Sequence, residues 1–180
     1  MNRCPTCGSY YRVETHCQRD GTELEPAEAL VDRYQIVDRV GEEGMGAVYK
    51  AVHTLLDNRV VAIKLLHREL SQNPEVINRF FREAQAASRV QNEHIIEVVD
   101  FGVTDEGDSF LVMEYVEGTS LRDVIDLEGA LVLKEALSIG LQIAEGLYAA
   151  HRKGIVHRDL KPENALLLGR QGKIFVKLLD

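Results

Sequence analysis

From residue 34 onward the chain lays down short runs rich in β-branched residues, at 34–40, 47–53 and 59–66, separated by glycine-rich or polar turns. That pattern predicts consecutive antiparallel strands. The period then changes. Val76, Phe80, Ala84, Ala87 and Val90 recur at helical spacing, behind an Asn73 that can cap a helix and a Pro74 that suits its first turn. Two more short strands are expected at 96–101 and 110–114, and a helix opening near Ser120. A long helix follows over 133–153, with an apolar face through Leu137, Leu141, Ala144 and Leu147, basic residues in its last turn and Gly154 as its stop. Strands first and helices second describe an α+β lobe, a five-stranded antiparallel sheet with one helix, followed by the start of a mainly helical lobe.

Composition adds boundaries to this picture. A chain of 180 residues holds one ordinary domain and a small appendage. The sequence divides into a cysteine-containing head (1–24), a short acidic linker (25–33, with Glu25, Pro26 and Glu28) and a body (34–180). A net charge of -8 excludes a generic binder of nucleic-acid backbones, so a charged nucleotide would need a local cationic site. No apolar stretch is long enough for a membrane helix, and the first 11 residues lack a signal-peptide core, so the cytoplasm is the expected compartment. All three cysteines fall within the first 17 residues, which favours a metal site over a disulfide framework in a reducing compartment.

Three segments carry chemistry. The turn Gly41-Glu42-Glu43-Gly44-Met45-Gly46-Ala47-Val48 can bring backbone N–H groups to phosphate oxygens, and alone it reads equally well as a flexible hairpin. Val61-Ala62-Ile63-Lys64 is an apolar strand that delivers one lysine, by itself a common strand end. Glu83 interrupts the helical seam of Val76, Phe80, Ala87 and Val90, and a carboxylate facing a core needs a partner, for which Lys64 is the economical candidate. The third segment is His157-Arg158-Asp159-Leu160-Lys161-Pro162-Glu163-Asn164, after the long helix. Asp159 can accept a hydroxyl proton, Lys161 can neutralise a transferring phosphoryl group, and Asn164 can offer an oxygen to Mg²⁺.

On these residues, in this order, the chain from residue 34 to 180 resembles the protein kinases, and among them the bacterial Ser/Thr kinases of eukaryotic-like type. The resemblance implies transfer of the ATP γ-phosphoryl group to protein Ser/Thr hydroxyls. It implies that Val40, Gly41, Gly44 and Gly46 belong to the loop over the nucleotide, that Lys64 holds the α and β phosphates, and that Glu83 positions it. Asp159 would be the catalytic base, while Asn164 and Asp180 would bind Mg²⁺. Val48, Ala62 and Leu166 would sandwich the adenine, with backbone groups of Glu114 and Val116 at its edge and Met113 as gatekeeper. Lys161, two residues after Asp159, matches the Ser/Thr pattern.

Two departures shape what is expected of the 180 residues alone. Glu43 stands where the family pattern has its second glycine, and the Asp-Phe-Gly pattern is present only through Asp180. The expectation is weak Mg-ATP binding, no substrate phosphorylation above background, and apolar helical surface for a partner to cover. A non-catalytic ATP-binding or interaction module, or a kinase-gene fragment, is the alternative. The head reads Cys4-Pro5-Thr6-Cys7-Gly8 and then Cys17-Gln18-Arg19-Asp20-Gly21. It resembles the short zinc ribbons ahead of some bacterial kinases, with structural Zn²⁺ on Cys4, Cys7, Cys17 and either Asp20 or His16. His53, His67, His94 and His151 are expected at surface or loop positions without function.

Overall fold

Strand pairing begins at the second residue. β1 (Asn2–Arg3) pairs with β2 (Tyr10–Tyr11) on one side and β3 (Glu25–Pro26) on the other, all antiparallel. β4 (Leu30–Val31) then pairs with β5 (Tyr34–Glu43), and β6 (Gly46–His53) and β7 (Val60–Leu66) continue the meander. α1 (Pro74–Ala87) precedes β8 (Val98–Val103) and β9 (Ser109–Glu114). The sheet has six strands in the order β4-β5-β6-β7-β9-β8, one more than expected, because β4 adds an edge. The computed structural model describes residues 1–27, 30–170 and 173–179. It comprises two units, one of residues 1–84 and 98–115 and one of residues 85–97 and 116–180.

In the first unit the sheet alternates as a two-faced sheet must. Val61, Ile63 and Leu65 of β7 are buried together with Tyr34, Ile36, Tyr49, Phe110 and Val112, and Tyr10 of the head closes that core. The Tyr49 hydroxyl accepts a hydrogen bond from the Tyr10 backbone N–H at 2.8 Å, so this buried tyrosine has a polar partner from the head. The linker expected at 25–33 contains two short strands, β3 at its start and β4 before a turn at Asp32 and Arg33. Val31 is buried against the sheet, and two-residue strands are too short to leave a periodic signal. α1 starts as its sequence predicts, with the Asn73 side chain accepting from the Glu75 N–H at 3.0 Å. Its Phe80 and Ala84 pack with Leu66 and Leu111.

In the second unit β10 (Thr119–Ser120) leads into α2 (Leu121–Glu128), whose N-terminus Ser120 caps by accepting from the Asp123 N–H. α3 (Leu133–Arg152) is followed by the hairpin of β11 (Ala165–Arg170) and β12 (Lys173–Leu178), and β10, β11 and β12 form one sheet. Ile139 of α3 is buried with Ala165, Val176 and Leu178, and a Cβ on Gly146 would lie 3.2 Å from the Leu178 side chain. The buried face of α3 is thus Ile139, Gly146 and Ala150, whereas Leu137, Leu141 and Ala144 of the expected face are exposed. The helix is apolar on several sides, so periodicity alone could not choose between them. His67 and His94 lie in connecting segments and His53 at the end of β6, and all three are buried. His94 joins Val176 through Nδ1 at 2.9 Å and stacks against Phe175, fixing β12. Among the described residues no helix is long and apolar enough to cross a membrane.

Candidate functional site

Two tight turns build the head's cluster. Gly8 donates to the Cys4 carbonyl and Gly21 to the Cys17 carbonyl, each at 2.9 Å, and both glycines have the positive φ that turns each loop back on itself. One ligand atom from each of Cys4, Cys7, Cys17 and Asp20 lies within 4.8 Å of all the others. Tetrahedral zinc with sulfur at about 2.3 Å sets ligand atoms about 3.8 Å apart. Cys7 Sγ and Cys17 Sγ are 3.6 Å apart, and Cys4 Sγ is 3.6 Å from Asp20 Oδ2, so the donor set fits such an ion. His16 points its Nδ1 to Thr15 and lies outside the cluster. Hydrogen bonds from Thr22 hold the Asp20 carboxyl down at about 2, while burial pushes the Cys7 thiol up to about 12, so a thiolate there calls for a cation beside it.

The sheet of the first unit gathers the nucleotide candidates on one face. Val48 pairs with Gly41 and Lys64, and Ala62 pairs with Met113, so cross-strand register puts Val48, Ala62, Lys64 and Met113 side by side, opposite the buried Val61, Ile63 and Leu65. Glu114 ends β9 opposite Val61. Val40 is exposed, and a Cβ on Gly41 or Gly44 would meet nothing, which leaves their backbone open to approach. Gly46 differs: a Cβ there would collide with the Leu65 carbonyl oxygen, so this glycine serves the closeness of β6 to β7. Gly46→Ala should lower stability by about 1–3 kcal/mol, read as a drop in the urea midpoint; wild-type stability would refute the steric reading. The Glu43 side chain lies outside the described atoms.

Glu83 corrects the seam argument. Its side chain is 61% exposed and its carboxylate meets Arg79 one turn earlier, with Arg79 Nε 3.7 Å from Oε1, a solvated pair of little energetic weight. The buried stripe of α1 is narrow, and Phe80 and Ala84 fill it while Glu83 lies on its flank.

The second unit carries the loop after α3. Arg158 adopts φ 68°, a left-handed conformation that is rare for a residue with a Cβ and that turns the chain sharply before Asp159. One 3₁₀ turn over Pro162–Asn164 then brings Asn164 back. Asn164, buried, donates through Nδ2 to the Asp159 carbonyl at 2.9 Å and to Asp159 Oδ2 at 3.2 Å, while Lys161 Nζ reaches the same Oδ2 at 2.7 Å. Lys161, followed by Asn164, holds the Asp159 carboxyl below its ordinary value, so it is ionised and able to accept a proton at neutral pH. Leu166 pairs with Ser120 and Lys177, and Val116 is half-buried. The Leu179 N–H donates to the Asn164 carbonyl at 2.8 Å, and Asp180 lies outside the described residues.

A family model described as the protein kinase domain matches residues 34–180. The chain belongs to the protein kinase family. This kinase chain is 45% identical over 138 residues to a probable serine/threonine-protein kinase of Clostridium perfringens, covering 77% of this chain and 20% of that protein. It is 44% identical over 144 residues to the serine/threonine-protein kinase PrkC of Bacillus subtilis, covering 80% of this chain and 22% of PrkC. The kinase chain spans about a fifth of the length of these curated relatives. Among solved structures it is similar to the PknI kinase domain of Mycobacterium tuberculosis, with a TM-score of 0.71 and 32% identity over 86% of this chain and 62% of that one. Missed by sequence reading were Tyr11, Arg39, Arg3, Arg68 and Asp108, which join the head to the kinase sheet through contacts that no local motif marks.

Proposed function

We propose that this chain supplies the nucleotide-binding sheet and catalytic loop of a serine/threonine-protein kinase, which transfers the γ-phosphoryl group of ATP to Ser/Thr hydroxyls of proteins. The observation that carries the reading is the convergence of Lys161 and Asn164 on the ionised Asp159 carboxylate in a chain of this family. Asp159 orients the substrate hydroxyl and takes its proton; Lys161, already at hydrogen-bond distance, balances charge as the phosphoryl group moves. Asn164 commits its NH₂ group to Asp159, so its carbonyl oxygen is the end suited to Mg²⁺, with Asp180 as the second ligand. Bound Mg²⁺ supplies charge neutralisation at the phosphates. Lys64 grips the α and β phosphates with Glu83, on the flank of α1, as its proposed partner, and Val48, Ala62 and Leu166 contact the adenine beside Met113, Glu114 and Val116. Titration of the chain with a fluorescent ATP analogue and Mg²⁺ tests the nucleotide reading: Lys64→Met should weaken binding by about tenfold or more, equivalent to about 1.4 kcal/mol, and an unchanged affinity would refute it.

The head, on this reading, is a zinc ribbon with Cys4, Cys7, Cys17 and Asp20 as ligands, supported by ligand-atom spacings close to tetrahedral edges. Metal analysis of the purified chain should give one zinc per molecule, and Cys4→Ser should lower that content to near zero; a metal-free wild type that folds unchanged in chelator counts against the ribbon. The exposed Leu133, Leu137, Leu141 and Tyr148 side chains of α3 form an apolar surface for a protein partner. The absence of a nucleic-acid partner fits the acidic composition.

A further inference from the structure

The strand that leads into the glycine-rich loop stays paired with β6 as far as Glu43, but its ladder is irregular just before the loop begins. Along β5 the register with β6 slips twice, between Ile36 and Asp38 and again between Arg39 and Gly41, so the last bulge falls at the base of the loop. A bulge bends and twists a strand, and side chains packed at it help to set that bend for the paired residues Gly41–Glu43 that follow. Those side chains come from the head. The Tyr11 hydroxyl lies 3.2 Å from Cys17 Sγ, and the Tyr11 ring is almost wholly buried. Over the face of that ring sits the Arg39 guanidinium, 4.6 Å from its centre, in a side chain only 16% exposed. Arg39 Nη2 in turn forms an ion pair with Glu42, the residue after Gly41, and the other Glu42 oxygen lies 3.4 Å from Nε2 of the buried His67.

We infer that Tyr11 and Arg39 are positioning residues through which the metal-bearing head sets the glycine-rich loop, so that occupancy of the Cys4–Cys7–Cys17–Asp20 cluster governs nucleotide affinity. The inference rests on both the zinc and the kinase readings. A thiolate held by a cation is a fixed acceptor for the Tyr11 hydroxyl, which orients the ring as hydrogen bonds around a metal site commonly orient its neighbours. A ring fixed in that way gives the desolvated Arg39 cation a defined seat. The seated guanidinium then fixes Glu42, and with it the backbone N–H groups of the loop. When the metal leaves, Cys17 is free to turn, Tyr11 loses its anchor, and the loop keeps its covalent chain but not its aim. An Arg39–Glu42 pair acting only as a surface salt bridge would be indifferent to the metal.

The test uses the 180-residue chain with three readouts: zinc content, the dissociation constant for a fluorescent ATP analogue with Mg²⁺, and amide hydrogen exchange at residues 41–46. Arg39→Gln should weaken nucleotide binding three- to tenfold and speed exchange at 41–46, with zinc content unchanged. Tyr11→Phe, which keeps the ring and loses the hydroxyl, should do the same to a smaller degree, and Arg39→Lys should recover part of the loss. Stripping zinc from the wild type with a chelator should reproduce the Arg39→Gln effect, and stripping it from Arg39→Gln should add nothing. Two results overturn the inference alone: a wild type that binds both zinc and nucleotide while Arg39→Gln behaves identically, or a chelation effect that adds in full to that of Arg39→Gln. A wild type without zinc defeats the ribbon reading, one without nucleotide binding defeats the kinase reading, and in either case this inference falls with it.

Discussion

In the serine/threonine-protein kinase to which this chain is proposed to supply the catalytic loop, Asp159→Asn is expected to reduce phosphoryl transfer to a protein hydroxyl by about 10²–10⁴-fold, the usual worth of a positioned general base. The substitution preserves shape: an amide oxygen in the place of Oδ2 can still accept from Lys161 Nζ or Asn164 Nδ2, so the loop held by those two donors should keep its fold. Nucleotide affinity should therefore stay within a factor of about three, separating loss of chemistry from loss of binding. Incorporation of labelled phosphate into a Ser/Thr-containing substrate, beside a nucleotide titration, gives both numbers. Retention of transfer within about tenfold of wild type would remove Asp159 from the role of base. The pH profile supplies an independent check. Because Lys161 holds the Asp159 carboxyl below the ordinary 3.8, the ionised base persists as pH falls through that value, and the acid limb assignable to it lies lower still. Lys161→Met removes the stabilising cation and should move that limb upward. It should also slow transfer, since the charge beside the moving phosphoryl group is lost.

The parts of this molecule that sequence reveals are those whose cause is local. The β-branched runs at 34–40, 47–53 and 59–66 became β5, β6 and β7 within a few residues, because alternation and glycine turns act over short distances. The Asn73 cap and the segment from His157 to Asn164 were legible for the same reason: the groups that interact are within five residues of one another. What stayed hidden was set by packing across long separations. The two-residue strands β3 and β4 owe their existence to partners already in place, so the acidic stretch around them reads as linker. α3 has apolar residues on several faces, and only Leu178 and His94 packing beside Gly146 decides which face is buried. Glu83 was assigned to a core on helical spacing, yet spacing says nothing about how wide the covering layer is. His94 is buried because Val176 and Phe175, some 80 residues later, come to it.

Asp108→Ala should destabilise the first unit by about 3–5 kcal/mol, the cost of removing one member of a buried charge cluster. The Asp108 side chain is 2% exposed and receives Arg3 Nη2 from the head at 2.5 Å and Arg68 Nη2 from the segment after β7 at 3.1 Å, with Arg68 Nε on its other oxygen at 3.2 Å. Two guanidinium groups therefore share one carboxylate, and alanine would leave both partly buried cations to the exposed Glu106, which already pairs with each of them. The Arg68 backbone N–H also donates to the Cys7 carbonyl, so the charge cluster lies directly against the Cys4–Cys7 turn. Arg3→Ala alone should cost less, because Arg68 remains to compensate Asp108, and the Asp108–Arg3 double-mutant cycle should show strong coupling. Glu106→Ala, at a site 57% exposed, should stay within about 1 kcal/mol of wild type. Chemical denaturation with a shared slope measures all four, and Asp108→Ala within about 1 kcal/mol of wild type would mean that the head rests on the sheet through its other contacts, Tyr10 with Tyr49 and Tyr11 with Arg39, and not through the Asp108 charge cluster. The geometry argues otherwise: an aspartate this deeply buried would itself be a liability unless both arginines were held against it, and one of those arginines belongs to the head.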